Sequence, residues 1–278
     1  MGANSKIEWT THTFNPWWGC TKVSEACKHC YAEAWAKRVG QNVWGPKPER
    51  RLLSDNHWRQ PLKWNRDAAN AAERPRVFCA SMADVFEDRD ELIEHRDRLF
   101  DLIEATPKLD WLVLTKRPQN VARLARWTDN WPDNVWLGTT VELQARAEEL
   151  LPYLEAIPAK VRFISAEPLL GPLQIQKWLG STIDWVITGG ESGPHARPAS
   201  PRWFSDLHAQ CMKSEVAFHF KQWGDWGPGD GINMLTAKSP ARAVADDGTE
   251  MLRVGKKLAG RVLKGKEWDQ LPLRVVAT

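Results

Sequence analysis

Apolar and polar positions along the chain alternate between two patterns. Short, nearly continuous apolar runs recur at RVFCA (76–80), LDWLVLT (109–115), VWLGTT (135–140), VRFIS (161–165), IDWVIT (183–188) and AFHFK (217–221). They are rich in β-branched and aromatic residues and close on small or polar ones, as strands buried on both faces of a parallel sheet do. Between them the apolar residues return with the helical period. Leu92, Ile93, Leu99, Phe100 and Ile103 describe an amphipathic helix that stops before Pro107. Leu143, Ala147, Leu150, Leu151 and Leu154 describe another, which Pro152 is expected to bend or end. Ser200-Pro201 has the form of an N-cap followed by proline at the first helical position, with Phe204, Leu207 and Cys211 facing inward. A shorter helix is expected over 119–127.

This alternation predicts an α/β fold. With the segment entering Cys20 as a first strand, it predicts a partial or near-complete (β/α) barrel of about six to seven βα units. A dinucleotide-binding sheet would want a glycine-rich turn after its first strand, and Gly19-Cys20 offers one glycine. The polar, tryptophan-punctuated stretch 40–75 reads as a helical insertion after the first unit. Residues 1–223 would form the barrel. Residues 224–278, entered through WGDWGPGDG (223–231), would form an irregular extension packing on or covering it.

Composition narrows the chemistry. A net charge of +3 over 278 residues is too weak to demand nucleic acid and suits an anionic ligand. No run of about 18 apolar residues exists, so no membrane span is expected. MGANSKIEWTTHTF has no apolar segment of a secretory signal, and a cytoplasmic location is expected. Five cysteines, three of them packed within NPWWGCTKVSEACKHCYAE (15–33), do not look like a disulfide framework. Cys20, Cys27 and Cys30 stand in the spacing C-x6-C-x2-C, with a helical pattern of Tyr31, Ala34, Trp35 and Arg38 behind them. Three thiolates can hold three irons of a cubane cluster and leave the fourth open to a small molecule. A structural zinc site is the alternative, with His12 or His29 as fourth ligand. It would make the chain a non-enzymatic structural or nucleic-acid-binding protein. Cys79 and Cys211 sit in apolar patterns and read as core thiols.

The cysteine loop resembles that of the radical S-adenosylmethionine superfamily, in which three cysteines after the first strand of a partial barrel hold a [4Fe–4S] cluster. The commonest spacing there is C-x3-C-x2-C. This chain has six residues in the first gap, and His29 where an aromatic often precedes the third cysteine. More narrowly, NPWWGCTKVS with C-x2-C-YAE, and GRVLKGKEWDQLP (260–272), resemble a phage-associated family of uncharacterised radical-SAM-like proteins. The resemblance implies a [4Fe–4S] cluster on Cys20, Cys27 and Cys30, S-adenosylmethionine as the bound partner, and an electron donor such as flavodoxin or ferredoxin. It also implies reductive cleavage to a 5′-deoxyadenosyl radical that abstracts hydrogen from substrate.

Residues at the C-terminal ends of barrel strands then become candidates for the rest of the site. Ser81, Met82 and Asp84 would receive the ligand's ammonium, and Lys116 or Arg117 its carboxylate. Gly189 and Gly190 would let the adenosine approach the backbone closely. Thr140, Glu142, Glu167 and Glu191 complete the set, the acids reading equally as ribose or sulfonium partners or as ordinary loop carboxylates. For the substrate, Trp17, Trp18, Trp44, Trp58, Trp223 and Trp226 fall in expected loops among Arg50, Arg51, Arg59 and Lys221. Aromatic faces with interleaved cations suit a nucleobase or nucleic acid, with a peptide or small metabolite as the other choice.

Overall fold

The structure, a computed structural model, describes residues 2–127, 130–231 and 240–272. In chain order its elements are β1 (His12–Thr13), β2 (Trp17–Trp18), α1 (Tyr31–Arg38), β3 (Arg51–Leu52), α2 (Asp55–Trp58), α3 (Gln60–Asp67), β4 (Arg76–Cys79), α4 (Ile93–Glu104), β5 (Asp110–Thr115) and α5 (Val121–Leu124). They continue as β6 (Val135–Thr140), α6 (Gln144–Glu155), β7 (Arg162–Ala166), β8 (Trp185–Gly189), α7 (Pro201–Lys213), β9 (Ala217–Gln222), β10 (Trp226–Pro228), β11 (Ala241–Val244), β12 (Glu250–Arg253) and α8 (Lys256–Ala259). A seven-stranded sheet runs β1-β4-β5-β6-β7-β8-β9, with parallel registers such as Val77 against Trp111 and Val186 against Phe218. Strand order follows chain order without the reversal of a doubly wound sheet. This is the α/β connectivity of a partial (β/α) barrel.

The apolar runs became strands because their side chains are needed inside on both faces. Trp111, Phe163, Trp185, Phe218 and Phe220 are fully buried. Each such side chain contributes roughly 1.5–3 kcal/mol when withdrawn from water. Cys79 and Cys211 are buried with them, and burial pushes both thiols up.

Four expectations change in detail. The first strand of the sheet is His12–Thr13, paired with Val77 and Phe78, and ends well before Cys20. The short stretch before Cys20 pairs antiparallel instead, Trp17 with Leu52 and Trp18 with Arg51. Pro152 does not end α6, which runs on to Glu155. The insertion 40–75 holds β3 and the short helices α2 and α3. The extension expected to be irregular carries an antiparallel sheet, β10-β12-β11, whose strands are too short to register as periodicity. Its stretches 232–239 and 273–278 lie outside the described residues.

The chain divides into two compact units. One takes residues up to Thr139 together with Pro152–Arg162, and the other takes Thr140–Leu151 and residues from Phe163 on. In the first, α4 buries Leu99, Phe100 and Ile103. Its buried Arg96 donates to Val85 O (2.9 Å) and Glu87 O (2.7 Å), which props the loop after β4. In the second, residues 268–270 run along the outer edge of β9. Phe220 N donates to Trp268 O (3.0 Å) and Gln270 N to Phe218 O (3.2 Å). That pairing covers an edge which would otherwise present open backbone groups. The described part of 224–278 therefore belongs to the second unit.

Candidate metal centre

The cysteine loop starts at a backbone crossing that only glycine permits. Gly19 has φ +116°, and a Cβ there would lie 2.3 Å from Val43 O and 2.7 Å from Arg50 Cδ. Its N–H donates to Met82 O at 2.9 Å, which fixes the loop entry to the end of β4. Cys20 follows directly. Cys27 closes a single 3-10 turn (Glu25–Cys27), with its Sγ 3.8 Å from Ser24 Oγ, and Cys30 precedes α1 at the N-cap. All three are free thiols, Cys27 buried and the others partly so.

Two buried ion pairs hold this loop, and both meet it at Thr21. Arg50, delivered by the insertion, donates from Nε to Glu87 Oε2 (2.9 Å) and from Nη2 to Glu87 Oε1 (2.7 Å) and Thr21 Oγ1 (2.9 Å). Its Nη1 donates to Val43 O and Pro48 O, both at 2.9 Å. Glu87 Oε1 in turn accepts the Thr21 N–H at 3.0 Å. In the second pair, Arg117 Nη1 donates to Asp84 Oδ2 (2.8 Å) and reaches Cys20 Sγ at 3.6 Å, while Nη2 donates to Thr21 O (2.6 Å). Asp84 also accepts from Phe86 N (3.0 Å), Thr115 Oγ1 (2.7 Å) and Lys116 N (3.0 Å). A carboxylate offers about four acceptor positions, so Asp84 is saturated by protein donors.

Electrostatics follow from this packing. Burial opposes the Arg117 charge, but Asp84, Cys20 and Glu87 outweigh it and hold the guanidinium above its ordinary pKa. Burial first, then the Asp84 carboxylate, pushes the Cys20 thiol up to about 12. The end of β4 is tied in from both sides. Asn15 donates to Ser81 Oγ (3.0 Å) and accepts from Met82 N (2.7 Å), and the Tyr31 hydroxyl donates to Ser81 O (2.9 Å).

The first unit thus gathers Ser81, Met82, Asp84, Lys116 and Arg117 around the start of the cysteine loop. Their observed partners differ from those expected of ligand-binding groups. Asp84 and Arg117 hold each other and the loop, and Met82 N is taken by Asn15. Nothing in the local sequence assigns these roles to Arg50, Glu87, Thr21 or Asn15. Arg50 and Glu87 lie 37 residues apart, a separation that no local spacing encodes.

In the second unit two of the remaining candidates, Glu191 and Glu167, sit in ion pairs. Glu191 takes three hydrogen bonds from Arg197, from N (2.9 Å), Nε (2.8 Å) and Nη2 (2.6 Å). Glu167 Oε1 meets Lys221 Nζ at 2.6 Å. Thr140 and Glu142 are buried at and just beyond the end of β6. Gly190 has a packing reason of its own, since a Cβ there would sit 1.9 Å from Trp223 O. The expected stacking surface is mostly core: Trp17, Trp58, Trp223, Trp226 and Arg50 are buried. Exposed aromatics include Tyr31 and Trp35, 61% and 43% exposed on α1, and Tyr153 on α6.

Among the described residues no three His, Cys, Asp or Glu side chains are already gathered as a metal-binding group. The donor set itself fits a thiolate-held cluster: three free thiols on one loop, with a charged guanidinium at the sulfur of the first. His12, considered as a fourth zinc ligand, is stacked on Trp64 at 4.4 Å, and its Nδ1 accepts from Asn4 N at 3.4 Å.

No curated protein and no solved structure matches the chain. A family model described as a protein of unknown function (DUF5131) matches residues 4–272, a span that takes in both units. The chain belongs to the DUF5131 family.

Proposed function

We propose that the protein is a radical S-adenosylmethionine enzyme whose [4Fe–4S] cluster is held by Cys20, Cys27 and Cys30. The observation that carries the reading is the frame around Cys20, in which the Arg50–Glu87 and Arg117–Asp84 pairs converge on the neighbouring residue. Buried ion pairs add little net stability compared with apolar packing. Two of them spent on one cysteine-bearing loop fit a loop whose position matters.

The chemistry such a cluster supplies is one-electron cleavage of S-adenosylmethionine to methionine and a 5′-deoxyadenosyl radical, which takes hydrogen from substrate. The chain's own groups orient and hold. Thr21 is pinned through its N–H, its carbonyl and its hydroxyl, so the direction in which Cys20 leaves the backbone is set before anything binds. Lys116, at the end of β5, is the proposed cation for the ligand carboxylate, and Ser81 the proposed acceptor for its ammonium. Thr140, Glu142, Glu167, Gly189 and Glu191 remain the proposed partners of the adenosine. A flavodoxin- or ferredoxin-type donor would supply the electron. A nucleic-acid substrate is supported by exposed Tyr31 and Trp35, with the Arg38 guanidinium 6.0 Å from the Trp35 ring. No described helix is long and apolar enough to cross a membrane, and a reducing cytoplasm suits the free thiols.

The test is anaerobic purification and loading with iron and sulfide, followed by visible and EPR spectra with and without S-adenosylmethionine and an assay of 5′-deoxyadenosine under dithionite. A brown protein whose reduced spectrum responds to S-adenosylmethionine is expected, and replacing any one of the three cysteines by alanine should abolish the response. A colourless protein carrying one zinc would overturn the reading.

A further inference from the structure

We propose that Arg117 is a positioning residue for the metal centre: its guanidinium donates an N–H to the Cys20 sulfur, aims that sulfur, and raises the reduction potential of the group bound to it. The inference rests on the cluster reading above, and its basis is geometric. Nη1 lies 3.6 Å from Cys20 Sγ. The plane of the guanidinium is fixed by the bonds from Nη1 to Asp84 Oδ2 (2.8 Å) and from Nη2 to Thr21 O (2.6 Å). Asp84 is itself locked by three further donors, and Arg117 N donates to Thr115 Oγ1 at 2.9 Å. The cation is therefore set in place by β5 and the loop after β4. Arg50, the buried cation on the other side of the loop, is turned to Glu87, Thr21 Oγ1 and backbone carbonyls.

A fixed positive charge and an N–H donor at a ligating thiolate favour the more negative, reduced state of the metal group. Hydrogen bonds to the sulfurs and net charge are among the quantities that set the potentials of iron–sulfur clusters. Partners of this kind also orient the ligand, and losing one typically costs roughly 10–100-fold in metal affinity. Lysine cannot reproduce the fork, because its ammonium is a point charge on a flexible stem.

The experiment uses the full chain, wild type against Arg117→Gln and Arg117→Lys, loaded anaerobically with iron and sulfide. Midpoint potentials are read by EPR-monitored redox titration, iron retention by challenge with a chelator, and folding by circular dichroism. Arg117→Gln should lower the midpoint potential and retain iron roughly 10–100-fold less well, and Arg117→Lys should shift the potential less in the same direction. A folded, loaded Arg117→Gln protein with the wild-type potential overturns the proposal. If Arg117→Gln does not fold, Arg117→Lys decides by the same readout. If wild type takes up no cluster, the proposed function fails, and Arg117 is judged separately with cobalt(II) alone. A thiolate-to-cobalt band that moves in the variants supports the sulfur contact. An unmoved band, or no cobalt binding, overturns it.

Discussion

At the scale of single residues, the cysteine loop is governed by what its neighbours cannot do without. Arg50 and Glu87 are both almost completely enclosed. Removing one partner of such a pair leaves an uncompensated buried charge, typically about 3–5 kcal/mol. Arg50→Ala should therefore lower the urea midpoint by a corresponding amount, whereas Arg98→Ala, whose Asp55 partner is exposed, should lower it far less. Equal losses in the two variants would show that the buried pair has no special weight. Gly19→Ala tests the crossing itself. A methyl group 2.3 Å from Val43 O on a residue at φ +116° has no room, so the loop must move. Loss of iron uptake with near-native circular dichroism is the expected result, and unchanged uptake would show that the crossing does not set the cysteine positions.

At the scale of elements, α7, β9 and the segment 260–270 form one aromatic assembly in the second unit. His208 on α7 packs against Trp268 with ring centroids 4.0 Å apart, and Phe218 on β9 lies 5.1 Å from His208. Lys266 sits over the Trp268 ring at 3.7 Å. Trp268 also donates from its indole to Leu263 O (2.9 Å), so the segment is folded against itself as well as against β9. Trp268→Ala should destabilise the protein by about 1–3 kcal/mol and expose the segment to protease. Cleavage in 260–270 at the wild-type rate would contradict that role. The exposed end of α1 behaves differently. Tyr31 and Trp35 contribute little to the core, so Trp35→Ala should leave the thermal midpoint nearly unchanged while weakening binding of single-stranded nucleic acid. Unaltered binding would remove α1 from the substrate surface.

At the scale of the whole molecule, stability should fall in mild acid. Burial lowers the pKa values of His208, His12 and His57, with Lys264 and Lys266 adding to the effect at His208. These side chains stay neutral in the folded chain where the unfolded chain would already bind protons. The unfolded state begins to take up protons near its ordinary value of about 6.5, so stability is lost progressively as pH drops below that point. Thermal midpoints measured from pH 7.5 down to pH 5 should decline, and His208→Phe should flatten part of the decline. A flat wild-type profile would refute the account. Ending the chain at residue 223 should be worse than any point substitution. It uncovers the edge of β9 and removes buried Met251 and Leu252. Aggregation by light scattering is expected.

The hydrophobic pattern alone was enough to locate β4 to β9 to within a residue or two, together with α4 and α7. These elements are buried on definite faces, and burial leaves a periodic trace in the sequence. The spacing of Cys20, Cys27 and Cys30 is equally legible, because the three thiols are local in the chain. Tertiary structure decided the rest. Two residues at His12–Thr13 are too few to carry a period, so only pairing with Val77 and Phe78 makes them a strand. Arg50 reads as a surface cation until folding brings Glu87 to it, and Asp84 and Arg117 read as ligand-binding groups until their partners are seen to be each other. Gly190 reads as an opening for a ligand until the Trp223 backbone is found against it. In each case the deciding neighbour lies far along the chain, and neither periodicity nor spacing records which distant residue will supply the opposite charge or fill the space.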